Sequence, residues 1–160
     1  MLFYDFEVFK YDWLVVIIDM DTEKTHVIHN DKDTLKEFFD SHSSSIWVGY
    51  NNKHYDQYIL KGILLNMNPK DINDQIIICH LDGWQISPEF NKIHMVNYDV
   101  KQNLPGYIRN FGLKTIEGFM GSDIRETEVP FDIDRPLTEK ELQQTIYYCT
   151  HDVEETIKVF

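Results

Sequence analysis

Residues 2–8 alternate: Leu2, Tyr4, Phe6 and Val8 fall on one side of a period-2 pattern, and Phe3, Asp5 and Glu7 on the other. A strand here places both carboxylates on one face. Residues 13–20 form a second, more continuously apolar strand and residues 25–29 a third, with the polar stretch 21–24 as the hairpin turn between them. Asp33 or Thr34 can cap a helix running to Ser41, with Leu35, Phe38 and Phe39 as its buried stripe. Residues 46–50 read as a short buried strand. Residues 56–67 read as a helix with Ile59, Leu60, Ile63 and Leu64 on its core face, and Pro69 follows its end.

Residues 72–79 read as helical, although the run Ile76-Ile77-Ile78 also suits a strand. Residues 93–100 read as a strand, and 114–120 as a short helix ending at Gly121. Residues 122–136 lack periodicity, hold two prolines and read as a loop. Thr138-x-x-Glu141 is a capping box opening a helix over 139–150, and helix resumes from 152 to 160, after a break if one occurs. A meander followed by alternating helices and strands predicts a mixed β-sheet flanked by helices, an α/β architecture in one domain over residues 1–160. A ribonuclease-H-like fold is the natural candidate. No internal repeat, low-complexity tract or linker interrupts it.

Composition narrows the function classes. At 42% hydrophobic and 14% aromatic the chain is globular rather than disordered. Its longest apolar run, residues 13–18, is far too short to cross a bilayer, so no membrane partner is expected. Two cysteines, Cys79 and Cys149, without zinc spacing suit reduced thiols, and with no leader-like segment they suggest a cytoplasmic protein (a host cell's cytoplasm if a phage encodes it). The seven histidines show no cluster spacing. A net charge of −12 argues against a purely electrostatic grip on DNA, and predicts weak, salt-sensitive affinity unless another element delivers the substrate. It does not argue against a metal-dependent nuclease, whose clustered carboxylates are offset by the ions they hold.

Three local patterns carry the candidate chemistry. Asp5-Phe6-Glu7 lies inside a strand, where acids are depleted, and divalent Mg²⁺ and Mn²⁺ prefer hard oxygen ligands. The same spacing in Asp21-Thr22-Glu23 falls in a turn, and an exposed strand face is the bland reading of both. Asp56 suits the first turn of its helix as a simple dipole partner, which leaves Asn51, Asn52 and Tyr55 ahead of it unexplained. Those Asn side chains can bind sugar or phosphate oxygens, or merely close the turn. Tyr148 and Asp152 share one helical face at i, i+4, if the helix is continuous. Read blandly, they are a packed aromatic and a capping acid.

Taken together and in order, Asp5-Phe6-Glu7, Asn51/Asn52 through Tyr55-Asp56, and Tyr148-x-x-x-Asp152 resemble the three motifs of the DEDD superfamily of 3′–5′ exonucleases, in its tyrosine subclass. The histidine subclass would need His where Tyr147 stands. The stretch 112–121 with Val129-Pro130-Phe131-Asp132 is similar to the N-terminal proofreading exonuclease region of phage-type family A DNA polymerases.

The resemblance implies a two-metal-ion hydrolase acting on a single-stranded DNA 3′ end, with Mg²⁺ or Mn²⁺ as cofactors. Asp5 would bridge both metals, Glu7 and Asp152 would complete the first, and Asp56 would hold the second. Tyr148 would orient the attacking water. Asn52 and Tyr55 would contact the terminal nucleotide, and Tyr11 could stack on its base, though core packing suits Tyr11 equally. An RNA exonuclease with the same site, or a non-catalytic binding or structural module, are the alternative readings. The stop at Phe160 within an apparent helix suggests that a polymerase domain continues the polypeptide as its partner.

Overall fold

The computed structural model describes residues 1–123 and 126–160. Of the loop expected over 122–136, residues 124 and 125 therefore lie outside the described residues. Five strands form one mixed sheet: β1 (Leu2–Val8), β2 (Trp13–Asp19), β3 (Lys24–His29), β4 (Ile46–Gly49) and β5 (Val96–Asp99), in the spatial order β3-β2-β1-β4-β5. The first three are an antiparallel meander; β4 runs parallel to β1 and β5 parallel to β4. Among the described residues five α-helices accompany them: α1 (Lys32–Ser41), α2 (Asp56–Leu64), α3 (Pro69–Ile77), α4 (Leu113–Phe119) and α5 (Glu139–Val159). Among the described residues no helix is long and apolar enough to cross a membrane.

The period-2 pattern of β1 decides the layering. Leu2, Tyr4, Phe6 and Val8 enter one core with Leu35 and Phe39 of α1, Ile59, Leu60 and Ile63 of α2, and Ile72 of α3. Phe3 enters a second core with Leu14, Val16, Val48, and Cys149 and Val153 of α5. Burying each such side chain contributes about 1.5–3 kcal/mol. The second layer turns acidic at Asp5 and Glu7, each only partly covered.

Several expectations shift at their edges. Residues 69–77 are helix, because Asn68 caps the chain and Pro69 occupies the first turn, where its missing N–H costs nothing. The strand expected over 93–100 is only β5: a 3₁₀ turn over Pro88–Lys92 and three irregular residues precede it, and a second 3₁₀ turn follows at Lys101–Asn103. The break suspected near residue 151 is absent: α5 runs unbroken from its Thr138–Glu141 capping box to Val159. Tyr148 and Asp152 therefore do share a helical face.

Candidate active site

The sheet opens where the site forms. β4 pairs with β1 only at Leu2 and Phe3, and then the two parallel strands part. The backbone N–H of Phe6, left without a ladder partner on that side, donates to Asp56 Oδ1 at 3.0 Å. Asp56 thus sits buried at the first turn of α2, held against the strand that carries Asp5 and Glu7. The crevice lies at the carboxyl ends of parallel strands, where neighbouring connections depart in opposite directions, the usual place for a ligand in open α/β sheets.

A cleft of about 460 Å³ has Asp5, Glu7 and Asp56 in its walls, with Asn51, Tyr55 and Asn73 as further polar groups. An adjoining hollow of about 270 Å³ has Glu7, Tyr148, Asp152 and Lys114 in its walls. Glu7 and Phe131 line both, so the two form one trough across which all four predicted carboxylates and Tyr148 are gathered. Cys149 on α5 lies beneath: its thiol donates to the Asp5 carbonyl at 3.4 Å and lies 3.6 Å from Asp5 Oδ2. One carboxylate oxygen each of Asp5 and Glu7 and the Cys149 sulfur lie within 4.8 Å of one another.

The electrostatics follow from this crowding. Burial, then Asp56, Glu7 and Asp152 in turn, hold the Asp5 carboxyl well above the usual range. Burial, then Asp152 and Asp56, push Glu7 up to about 8, with Lys114 opposing. Burial pushes Asp56 up to about 7 although Phe6 N–H and its own N–H stabilise the anion. Burial also raises Asp152, against the Lys114 ammonium that pairs with it. Burial raises all four acids, and charge from the other site acids adds to it at Asp5 and Glu7; carboxylate oxygens are the donors that Mg²⁺ and Mn²⁺ prefer.

The expected substrate contacts fare unevenly. Asn52 is wholly buried, and its amide donates to the Tyr4 hydroxyl and to Asn97 Oδ1, both at 3.3 Å. It braces the loop from below and, contrary to the expectation, is not among the residues that wall the cleft. Asn51 faces the cleft instead, turned there by a left-handed backbone (φ 64°) that Asn tolerates. Buried Asp99 fixes this loop by accepting from the N–H groups of Asn51 at 3.0 Å and Lys53 at 3.2 Å. Tyr55 does wall the cleft, its hydroxyl donating to Asn73 Oδ1 at 2.6 Å. Tyr11 is 50% exposed, so it is not a core residue, and its hydroxyl donates to Asp134 at 3.3 Å. Among the described residues it belongs to the walls of neither hollow.

Sequence reasoning missed Lys114, Asn73 and Phe131. Lys114 meets Asp152 across a separation of 38 residues, and no local pattern announces such a pair. Asn73 lay in a segment that suited a helix or a strand, and Phe131 in one without periodicity. Searches for likeness to known proteins add nothing to this site: no protein-family model matches the sequence, and no curated protein matches it.

Proposed function

We propose that the chain is a metal-dependent 3′–5′ exonuclease of the DEDD type, tyrosine subclass, with a ribonuclease-H-like fold, acting on the 3′ end of single-stranded DNA and serving to proofread for a DNA polymerase. The observation that carries the reading is the convergence of Asp5, Glu7, Asp56 and Asp152, from β1, α2 and α5, on one open trough, where burial raises all four carboxyls and the other acids raise Asp5 and Glu7 further. A meander continued by parallel strands, with helices on both faces, supports the fold assignment.

The donor set fits a pair of divalent cations: all-oxygen, anionic and only partly compensated within the protein. Asp5 and Glu7, fixed on a strand, and Asp152, on α5, would hold one ion; Asp5 with Asp56 would hold the other. Such ions, when bound, supply charge that acidifies a water and stabilises a departing oxygen. The chain's own residues do the rest. Tyr148, one turn before Asp152, presents its phenol to the hollow that water would enter and orients it. Asn51 and Tyr55 offer polar contacts, and Ile77 and Phe131 apolar ones, to a terminal nucleotide. The Lys114 ammonium meets the charge of Asp152 and keeps it placed before an ion arrives.

The test is incubation with a 5′-labelled single-stranded DNA oligonucleotide in Mg²⁺ or Mn²⁺, with a chelator control and a matched RNA. Products shortening stepwise from the 3′ end, only with metal and in preference on DNA, are expected. Intact substrate with both metals, or equal cleavage in chelator, would overturn the proposal.

A further inference from the structure

Glu117 on α4 has no exposed surface, and neither of its carboxylate oxygens has a hydrogen bond. Two basic side chains stand beyond hydrogen-bond reach of it. His151 Nε2 lies 3.6 Å from Oε2, and Lys114 Nζ lies 3.5 Å from Oε1. The His151 nitrogen is itself buried and without a hydrogen bond. Asp152 presents an oxygen to the same space: one ligand atom each from Glu117, His151 and Asp152 lie within 4.8 Å of one another. Glu155, one turn further along α5, is 1% exposed, and its Oε2 also lacks a hydrogen bond. A buried carboxylate without donors is costly unless it meets a cation.

We propose that Glu117, His151 and Asp152 form a binding site for a borderline divalent cation, Zn²⁺ or Mn²⁺, distinct from the Asp5–Glu7–Asp56 cleft in its Glu117 and His151 ligands. Two carboxylates and an imidazole favour such ions over Mg²⁺ and Ca²⁺, which prefer oxygen throughout. Zinc bonds to oxygen and nitrogen are about 2.0–2.2 Å long, so the three groups need to draw together only modestly around the ion. Lys114 is the group an ion must displace. Its side chain is 30% exposed, and its stem can carry the ammonium out to water. A hollow of about 500 Å³, walled in part by His151, Glu155 and Lys158, lies beside the cluster. Because Asp152 also belongs to the catalytic trough, occupancy here sets how much of its charge remains for that trough. The bland alternative is that Lys114 and His151 merely pin Glu117, and so α4, against α5.

The whole chain, stripped with chelator, is titrated with Zn²⁺ in excess Mg²⁺, with heat and the histidine imidazole nitrogen resonances as readouts. The expected result is a single saturating event that moves the His151 Nε2 resonance, is lost in Glu117→Gln and in His151→Gln, and survives in Asp5→Asn. A His151 resonance unmoved by Zn²⁺ in the unmodified protein, or binding unchanged in both glutamine variants, overturns the site and leaves the bland alternative. The readout on the unmodified chain does not depend on any variant folding. No hydrolysis is measured, so failure here and failure of the exonuclease reading are separate results.

Discussion

On one side of Glu7, Asp5 and Asp56 share a cleft with no Lys, Arg or His among its described walls; on the other, Asp152 shares a hollow with Lys114. The ligand chemistry is the same and the compensation is not. Asp152 has a cation of its own, and the Phe6 amide is the main internal relief for Asp56. The first half of the trough therefore holds acids that no basic side chain compensates and that keep their protons instead when no metal is bound. Stability alone would not favour such an arrangement, and function commonly keeps it.

The strongest way to break the comparison is to remove ligands from each half. Asp5→Ala and Asp152→Ala should each lower kcat by about 10³-fold or more, as loss of a main electrostatic element of a site does. The stability effects should differ. Asp5→Ala relieves repulsion and should leave the metal-free melting temperature unchanged or raised, whereas Asp152→Ala strands Lys114 and should not raise it. Full metal-dependent hydrolysis in either variant would remove these residues from the mechanism.

Proton linkage offers a second probe, without mutation. Glu7 and Asp56 titrate near 8 and 7 in the folded chain and near 4 when unfolded, so between these limits the folded state holds more protons. The contribution of these two groups to metal-free stability is then fully present below pH about 4 and is lost as pH rises through about 8. Water reaches Glu7, so the loss should be roughly 2 kcal/mol rather than the full shifts. Saturating Mg²⁺ or Mn²⁺ should flatten the profile by binding the deprotonated forms. A metal-free melting temperature that rises from pH 5 to pH 8 would mean that these acids are not crowded in solution.

Much of this trough was legible before the structure. Period 2 in β1 assigned Asp5 and Glu7 to one face because one face of that strand is wholly apolar. Asp56 and Asp152 were found because each sits at a fixed offset from an aromatic on or before a helix. What stayed hidden was long-range or depended on backbone conformation. Whether Asn51 or Asn52 faces the cleft is decided by a single left-handed residue and by Asp99 beneath it. That 69–77 is helix rather than strand hung on a capping Asn68. Lys114, Glu117 and His151 meet only through the packing of α4 on α5, so histidines without sequence spacing could still converge with acids in space.

Tyr148 sharpens the contrast on the side of Asp152. Tyr148→Phe keeps the ring and the helix and removes only the hydroxyl, so kcat should fall about tenfold with KM little changed. A loss as large as that of Asp152→Ala would give the phenol a greater part than orienting water. Lys114→Met should cost about 1 kcal/mol of metal-free stability, because the pair it forms is partly solvated, and saturating Mg²⁺ should restore most of it. Metal-free melting at the unmodified temperature would show that Asp152 needs no internal cation, and the two halves of the trough would then be alike.

The smallest effect is expected just outside the trough. Tyr11 follows the same strand that carries Asp5 and Glu7, and from position alone it could stack on a base. Its ring is half in water with Lys10 Nζ 5.4 Å from its centre, and its hydroxyl turns to Asp134. A base lying against Glu7 and Asp56 meets Tyr55 and Phe131 in the walls instead. Tyr11→Ala should therefore change kcat/KM by no more than about twofold and stability by about 0.5 kcal/mol or less, as surface substitutions usually do. Parallel measurement of Phe131→Ala, where KM should rise several-fold from loss of an apolar wall, sets the scale. If Tyr11→Ala raises KM as much as Phe131→Ala does, the strand is bound along a path that leaves the trough past the end of β1, and the walls described here are only part of the binding surface.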